Sequence, residues 1–81
     1  MRLKDYLALK PVTVSSARIR DIAHAGGSMY VRFRNGRVYR CTPITREIWQ
    51  SLIDAPSVGR TFDKYVTHNS NVTATEVQIT D

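Results

Sequence analysis

Eighty-one residues with a single cysteine and a formal charge of +5 leave room for one core, and exclude an internal disulfide or a multi-cysteine zinc site. A chain this short buries only about 60% of the surface its unfolded form exposes, so a second copy that adds buried surface is expected, and with it a homodimer. Nine of the twelve basic residues are arginine, and seven of these (18, 20, 32, 34, 37, 40 and 46) fall in one stretch whose only acid is Asp21. Arginine presents a planar fork of donors that fits phosphate or carboxylate, so the composition points to an anionic partner.

The opening residues place Leu3, Tyr6 and Leu7 at helical spacing, and Pro11 ends any helix there, which predicts a short N-terminal turn over residues 1–11. Charges at Arg2, Lys4, Asp5 and Lys10 interrupt every apolar run, so neither a signal peptide nor a membrane span is expected and the cytoplasm is the expected compartment. Val12 to Ala23 reads as extended, with a kink or bulge at Ser15-Ser16 where the alternation changes phase. Ala25-Gly26-Gly27-Ser28 is a turn.

Met29 to Cys41 carries the clearest local pattern. Two alternating runs flank Asn35-Gly36, the preferred two-residue hairpin turn, and this turn sets Phe33 opposite Val38 and Arg32 opposite Tyr39. With that register Met29, Val31, Phe33 and Val38 form the core face, ending in Arg40 and Thr42. Tyr30, Arg32, Arg34, Arg37, Tyr39 and Cys41 form a wet face. Two rings and three guanidinium groups on an extended support are the parts of a platform for single-stranded nucleic acid or a nucleotide pocket. The competing placement puts Tyr39 under a C-terminal helix. Arg18 and Arg20 extend the candidate anion-binding set to Arg18, Arg20, Tyr30, Arg32, Arg34, Arg37 and Tyr39.

Thr42-Pro43 is expected to open the main helix, with Thr42 as N-cap and Ile44, Ile48, Trp49, Leu52 and Ile53 as its apolar stripe. Trp49 reads as a core residue of that stripe. Ser57 starts a second helix carrying Val58, Phe62, Tyr65 and Val66. Amides at that helix start would also suit an anion. The tail, residues 69–81, alternates weakly in Val72, Ala74, Val77 and Ile79 and is expected to add an edge strand, in its own chain or in a second one.

Cys41 with His24, His68 and Asp21 does not make a catalytic set. The cysteine ends a strand with no helix N-terminus near it to lower its pKa, so it reads as a structural thiol. No phosphate loop, paired carboxylates or metal-ligand spacing occurs, and no enzyme, cofactor or metal is expected.

Val14-Ser15-Ser16 followed by Ile19 and Ile22, then Phe33-x-Asn35-Gly36 leading to Tyr39, then Pro43, and above all Ala55-Pro56-Ser57-Val58-Gly59-Arg60-Thr61-Phe62 together resemble the KTSC domain family. The family is named for the C-terminal region of some lysyl-tRNA synthetases and includes free-standing bacterial and phage proteins. The resemblance spans about residues 14–66 and departs where the family's Tyr-x-Tyr is Tyr39-Arg40-Cys41. It strengthens the fold already read from length and pattern, one α+β domain over residues 1–81 in which a small antiparallel meander with an Asn-Gly hairpin packs against two C-terminal helices. It also implies RNA binding as an expectation. The alternative is a small phage-encoded inhibitor of a host defence system, an anti-CRISPR protein for example, that docks on an acidic protein surface or sequesters a signalling nucleotide. The basic charge excludes acidic mimicry of DNA.

Overall fold

A computed structural model describes all residues, Met1 to Asp81. Helix α1 (Leu3–Ala8) leads into β1 (Val12–Thr13), β2 (Ile19–Ala25), β3 (Ser28–Phe33) and β4 (Val38–Thr42). Then follow α2 (Arg46–Ile53), α3 (Val58–Phe62) and β5 (Thr73–Val77). Beyond Phe62 the helix runs on as a π-helical turn, Asp63–Thr67. The five strands form an antiparallel meander in chain order, which is the expected α+β architecture, and no helix is long and apolar enough to cross a membrane.

The segment expected to be one extended run from Val12 to Ala23 folds back on itself, because β1 pairs with β2 through Val12↔Ile22 and Thr13↔Asp21. Ser16 makes the turn: its hydroxyl oxygen accepts from the amides of Arg18 and Ile19, both at 3.1 Å. The bulge lies further on than Ser15-Ser16. Ile19 pairs with Phe33 but Asp21 with Arg32, so Arg20 is the extra residue, and its insertion turns both Ile19 and Ile22 toward the helices.

The β3–β4 hairpin is one residue out of the expected register: Met29 faces Cys41, Tyr30 faces Arg40, Val31 faces Tyr39 and Arg32 faces Val38. The loop has three residues. The Gly36 amide donates to the Phe33 carbonyl at 3.0 Å and the Phe33 amide to the Arg37 carbonyl at 2.9 Å, while Gly36, at φ 91°, is the one loop residue in the left-handed region. Gly36 therefore closes a bulged turn instead of sharing a mirror-image turn with Asn35.

That single step exchanges faces, as period-two alternation requires. Tyr39 and Cys41 join Met29, Val31 and Phe33 against α2 and α3, where Ile22, Ile44, Leu52, Val58, Phe62 and Val66 complete the main core. Val38 moves to the opposite face. There Tyr6 of α1 is fully buried against Ala23 and Val38, with Leu9, Tyr30, Val77 and Ile79 around them. The face expected to be wet is thus covered by residues from the two ends of the chain.

Thr42 stays in the ladder, opposite Thr73, and the α2 cap is Thr45, whose side chain accepts from the Ile48 amide at 3.2 Å. The helix therefore starts at Arg46, so Ile44 is buried just ahead of it and not in its stripe; Leu52 is fully buried, while Trp49, expected in the core, is half-buried and stacked on the exposed His24 at 5.0 Å. Residues of the tail form β5 on β4 of their own chain. The Leu3 amide then donates to the Thr80 carbonyl and the Thr80 amide to the Met1 carbonyl, tying the ends together.

Candidate functional site

The seven candidate residues do not share a face. Arg32 packs under α1: its guanidinium donates through Nε to Asp21 Oδ1 at 3.1 Å and through a terminal nitrogen to Oδ2 at 2.5 Å. Its side chain is 15% exposed, and its carbon Cζ lies 5.2 Å from the centre of the Tyr6 ring. The Tyr6 hydroxyl donates to the same carboxylate. Tyr30 meets Tyr6 edge-on at 6.3 Å. Of these two members of the expected platform, Arg32 belongs to a polar network under α1 that balances its charge, and Tyr30 packs beside it in the apolar cluster around Tyr6. Arg20 is exposed at the bulge and lines neither of the two recesses described next.

The loop after β1, the hairpin tip and the start of α3 meet around an open cleft of about 570 Å³. It is lined by Ser15, Ser16, Arg18, Arg34, Ser57 and Arg60, among others, with Asp63 as its one acid. Hydrogen bonds fix its walls. Arg34 donates from its amide to the Arg18 carbonyl and from Nε to the Ser16 carbonyl, each at 2.9 Å. Arg18 reaches across to donate to the Gly59 carbonyl at 2.8 Å and to Asp63 at 3.0 Å. The contact is close at Gly59, where a Cβ would stand 3.3 Å from the Arg18 terminal nitrogen, tight enough to shift that side chain by a few tenths of an ångström. The Arg18 hydrogen bond holds the Asp63 carboxyl below its ordinary pKa.

Within this cleft Arg18 is neutralised, whereas Arg34 keeps its terminal nitrogens free and Arg60 makes no hydrogen bond or ion pair in the chain. Two uncompensated guanidinium groups beside three serine hydroxyls form a surface suited to a phosphate or carboxylate. Arg60 was absent from the sequence-derived set. It sits on the segment Ala55 to Phe62, and its partner arginines are brought to it only by the tertiary fold.

On the other side of the hairpin tip lies a second recess of about 510 Å³, lined by Phe33, Arg37, Tyr39, Phe62, Val66 and Ala74 among others. The Phe33 ring meets Tyr39 edge-on at 5.7 Å and Phe62 at 5.8 Å. Cys41, which takes the place of the family's second tyrosine, is buried, and burial raises its thiol from 9.0 to about 11. Burial thus favours the protonated thiol over the thiolate near neutrality.

A meander sheet with helices on one face and the chain ends on the other, opening on a serine and arginine cleft, defines the class of this small α+β domain. The KTSC domain model matches residues 15–69, and the chain belongs to the KTSC domain family. A search of curated proteins gives no match. Two of the stretches that carry the resemblance are far apart in sequence and meet in the cleft, through Ser15 and Ser16 of the first and Pro56, Ser57, Gly59 and Arg60 of the second. Helix α1, β1 and β5 lie outside the matched residues.

Proposed function

We propose that this domain is a non-enzymatic module that binds single-stranded nucleic acid, RNA in the first instance, through phosphate contacts in the serine and arginine cleft. The observation that supports it is the pair Arg34 and Arg60, both exposed, both with free guanidinium donors, on walls that are already fixed by hydrogen bonds. Rigid walls reduce the ordering cost of binding. Free donors on them leave a phosphate to displace only water.

Fluorescence anisotropy with an oligouridylate probe at about 50 mM salt and upward tests the reading, because each phosphate neutralised on a single strand contributes a slope of about −0.7 to log K against log salt. Replacing Arg34 or Arg60 with glutamine should flatten that slope by about 0.7 each. Arg32→Gln should leave the slope unchanged, since that charge is already paired with Asp21. Absence of binding at the lowest salt would overturn the reading and favour an acidic protein surface as the partner.

A further inference from the structure

The cleft accounts for phosphates but not for the aromatic recess on the far side of the hairpin tip. Phe33 and Arg34 are consecutive, as are Phe62 and Asp63. In each pair the first residue lines the aromatic recess and the second lines the cleft. The two recesses therefore lie back to back, one residue step apart on both the hairpin and the helix. A strand held at Arg34 needs to pass only the loop Arg34-Asn35-Gly36 to reach Arg37.

The contents of the recess narrow its occupant. Its floor is aromatic and aliphatic: Phe33, Tyr39, Phe62 and Val66, with Phe62 and Val66 buried and the first two half-buried. Arg37 and Asn35, both exposed, stand at its edge; the Arg37 guanidinium makes no hydrogen bond in the chain, and the Asn35 side chain is engaged through its oxygen only, by the Arg37 amide at 2.9 Å. Rings below with free donors at the rim suit a planar, hydrogen-bonding heterocycle. An aliphatic side chain would leave those donors unused. The cationic cleft alongside favours a heterocycle that arrives on a phosphate backbone.

We infer that the recess between the β3–β4 hairpin, α3 and β5 receives an unstacked nucleobase of the strand whose phosphates lie in the cleft. This rests on the reading of the cleft as a phosphate site and adds to it a preference for bases. Stacking on an aromatic side chain is worth enough to change affinity by about tenfold or more per base.

Two probes of about twelve nucleotides, within the range one small domain covers, separate the two readings: oligothymidylate, and a strand of the same length made only of abasic residues. The wild-type protein is expected to bind the base-bearing strand about tenfold or more tightly than the abasic one. Tyr39→Leu, which keeps an apolar floor, should remove that preference and leave abasic binding intact. Ala74→Trp does the same by filling the recess from an exposed strand position, and a large aromatic is well tolerated in a strand. Equal binding of both strands by the wild type, or equal weakening of both by the recess variants, would overturn the base site while the phosphate cleft stands. Binding to neither strand would overturn both readings.

Discussion

Asp21 is the only acid between Arg18 and Arg46, and the fold spends it on Arg32. The pairing could be anticipated from sequence only with β2 and β3 in the right register, which the bulge at Arg20 hides. What reads as surplus positive charge on a wet face is one charge, Arg32, paired with Asp21 and two, Arg34 and Arg37, divided between the cleft and the aromatic recess, with Arg60 joining the cleft from α3. A buried pair is costly to break because the survivor is left charged and unsolvated. Asp21→Ala and Arg32→Ala should each destabilise the domain by about 3 kcal/mol, with the double variant losing clearly less than the sum of the two. Urea unfolding of all four forms in a double-mutant cycle measures the coupling. Strict additivity would mean that the pair is only a surface contact.

At the scale of elements, sequence pattern located β3, β4, the tail strand and both C-terminal helices, but it merged β1 and β2 into one extended run and misplaced one residue of register in the β3–β4 hairpin. The cause is local: Asn35-Gly36 suits both a two-residue mirror-image turn and the last two positions of a three-residue bulged loop, and only the left-handed Gly36 distinguishes them. Because alternation has period two, that slip moved Tyr39 and Cys41 onto the face under α2 and α3 and Val38 onto the opposite face, into the cluster around Tyr6. Placing Tyr39 beneath the helix, weighed as the competing position, is the one the fold adopts. The tail posed the opposite difficulty. Its alternation is weak because β5 is an edge strand with Thr73 to Glu76 exposed, so little of it is patterned by burial. A chain ending at His68 loses this strand and the contact of the tail with the N-terminal residues. It should unfold at distinctly lower urea and, with the β4 edge uncovered, self-associate. Light scattering beside the full chain checks this. An equally stable, monodisperse truncation would mean that β5 contributes nothing.

Over the whole molecule, two buried acids, Cys41 and Tyr6, bear on stability at alkaline pH. Cys41 is raised to about 11 by burial. Tyr6 is raised well above the ordinary tyrosine value, first by burial and then by its hydrogen bond to Asp21. Each is an acid that the fold keeps protonated, so its contribution is complete below the pH at which the unfolded chain ionises and declines as pH rises through the folded value. Stability should therefore fall from about pH 9 upward, where unfolded cysteine and then tyrosine release protons. Cys41→Ala should flatten the first part of that fall and Tyr6→Phe the later part, read from urea midpoints between neutral pH and about pH 11. An unchanged limb in both variants would assign the fall to other groups.

The parallel bridge between Arg2 and Thr80 also has a topological meaning. Residues 1 and 81 emerge side by side, so a short flexible linker could join them and turn the backbone into a ring without moving any element. Such closure acts on the unfolded chain, whose freedom it removes, by an amount that loop-entropy arithmetic puts at about 4 kcal/mol for a circle of this size. Neither Ser15, Arg34 nor Arg60 belongs to the joined ends, and a cyclised molecule would present the same cleft on a scaffold that has no ends left to fray.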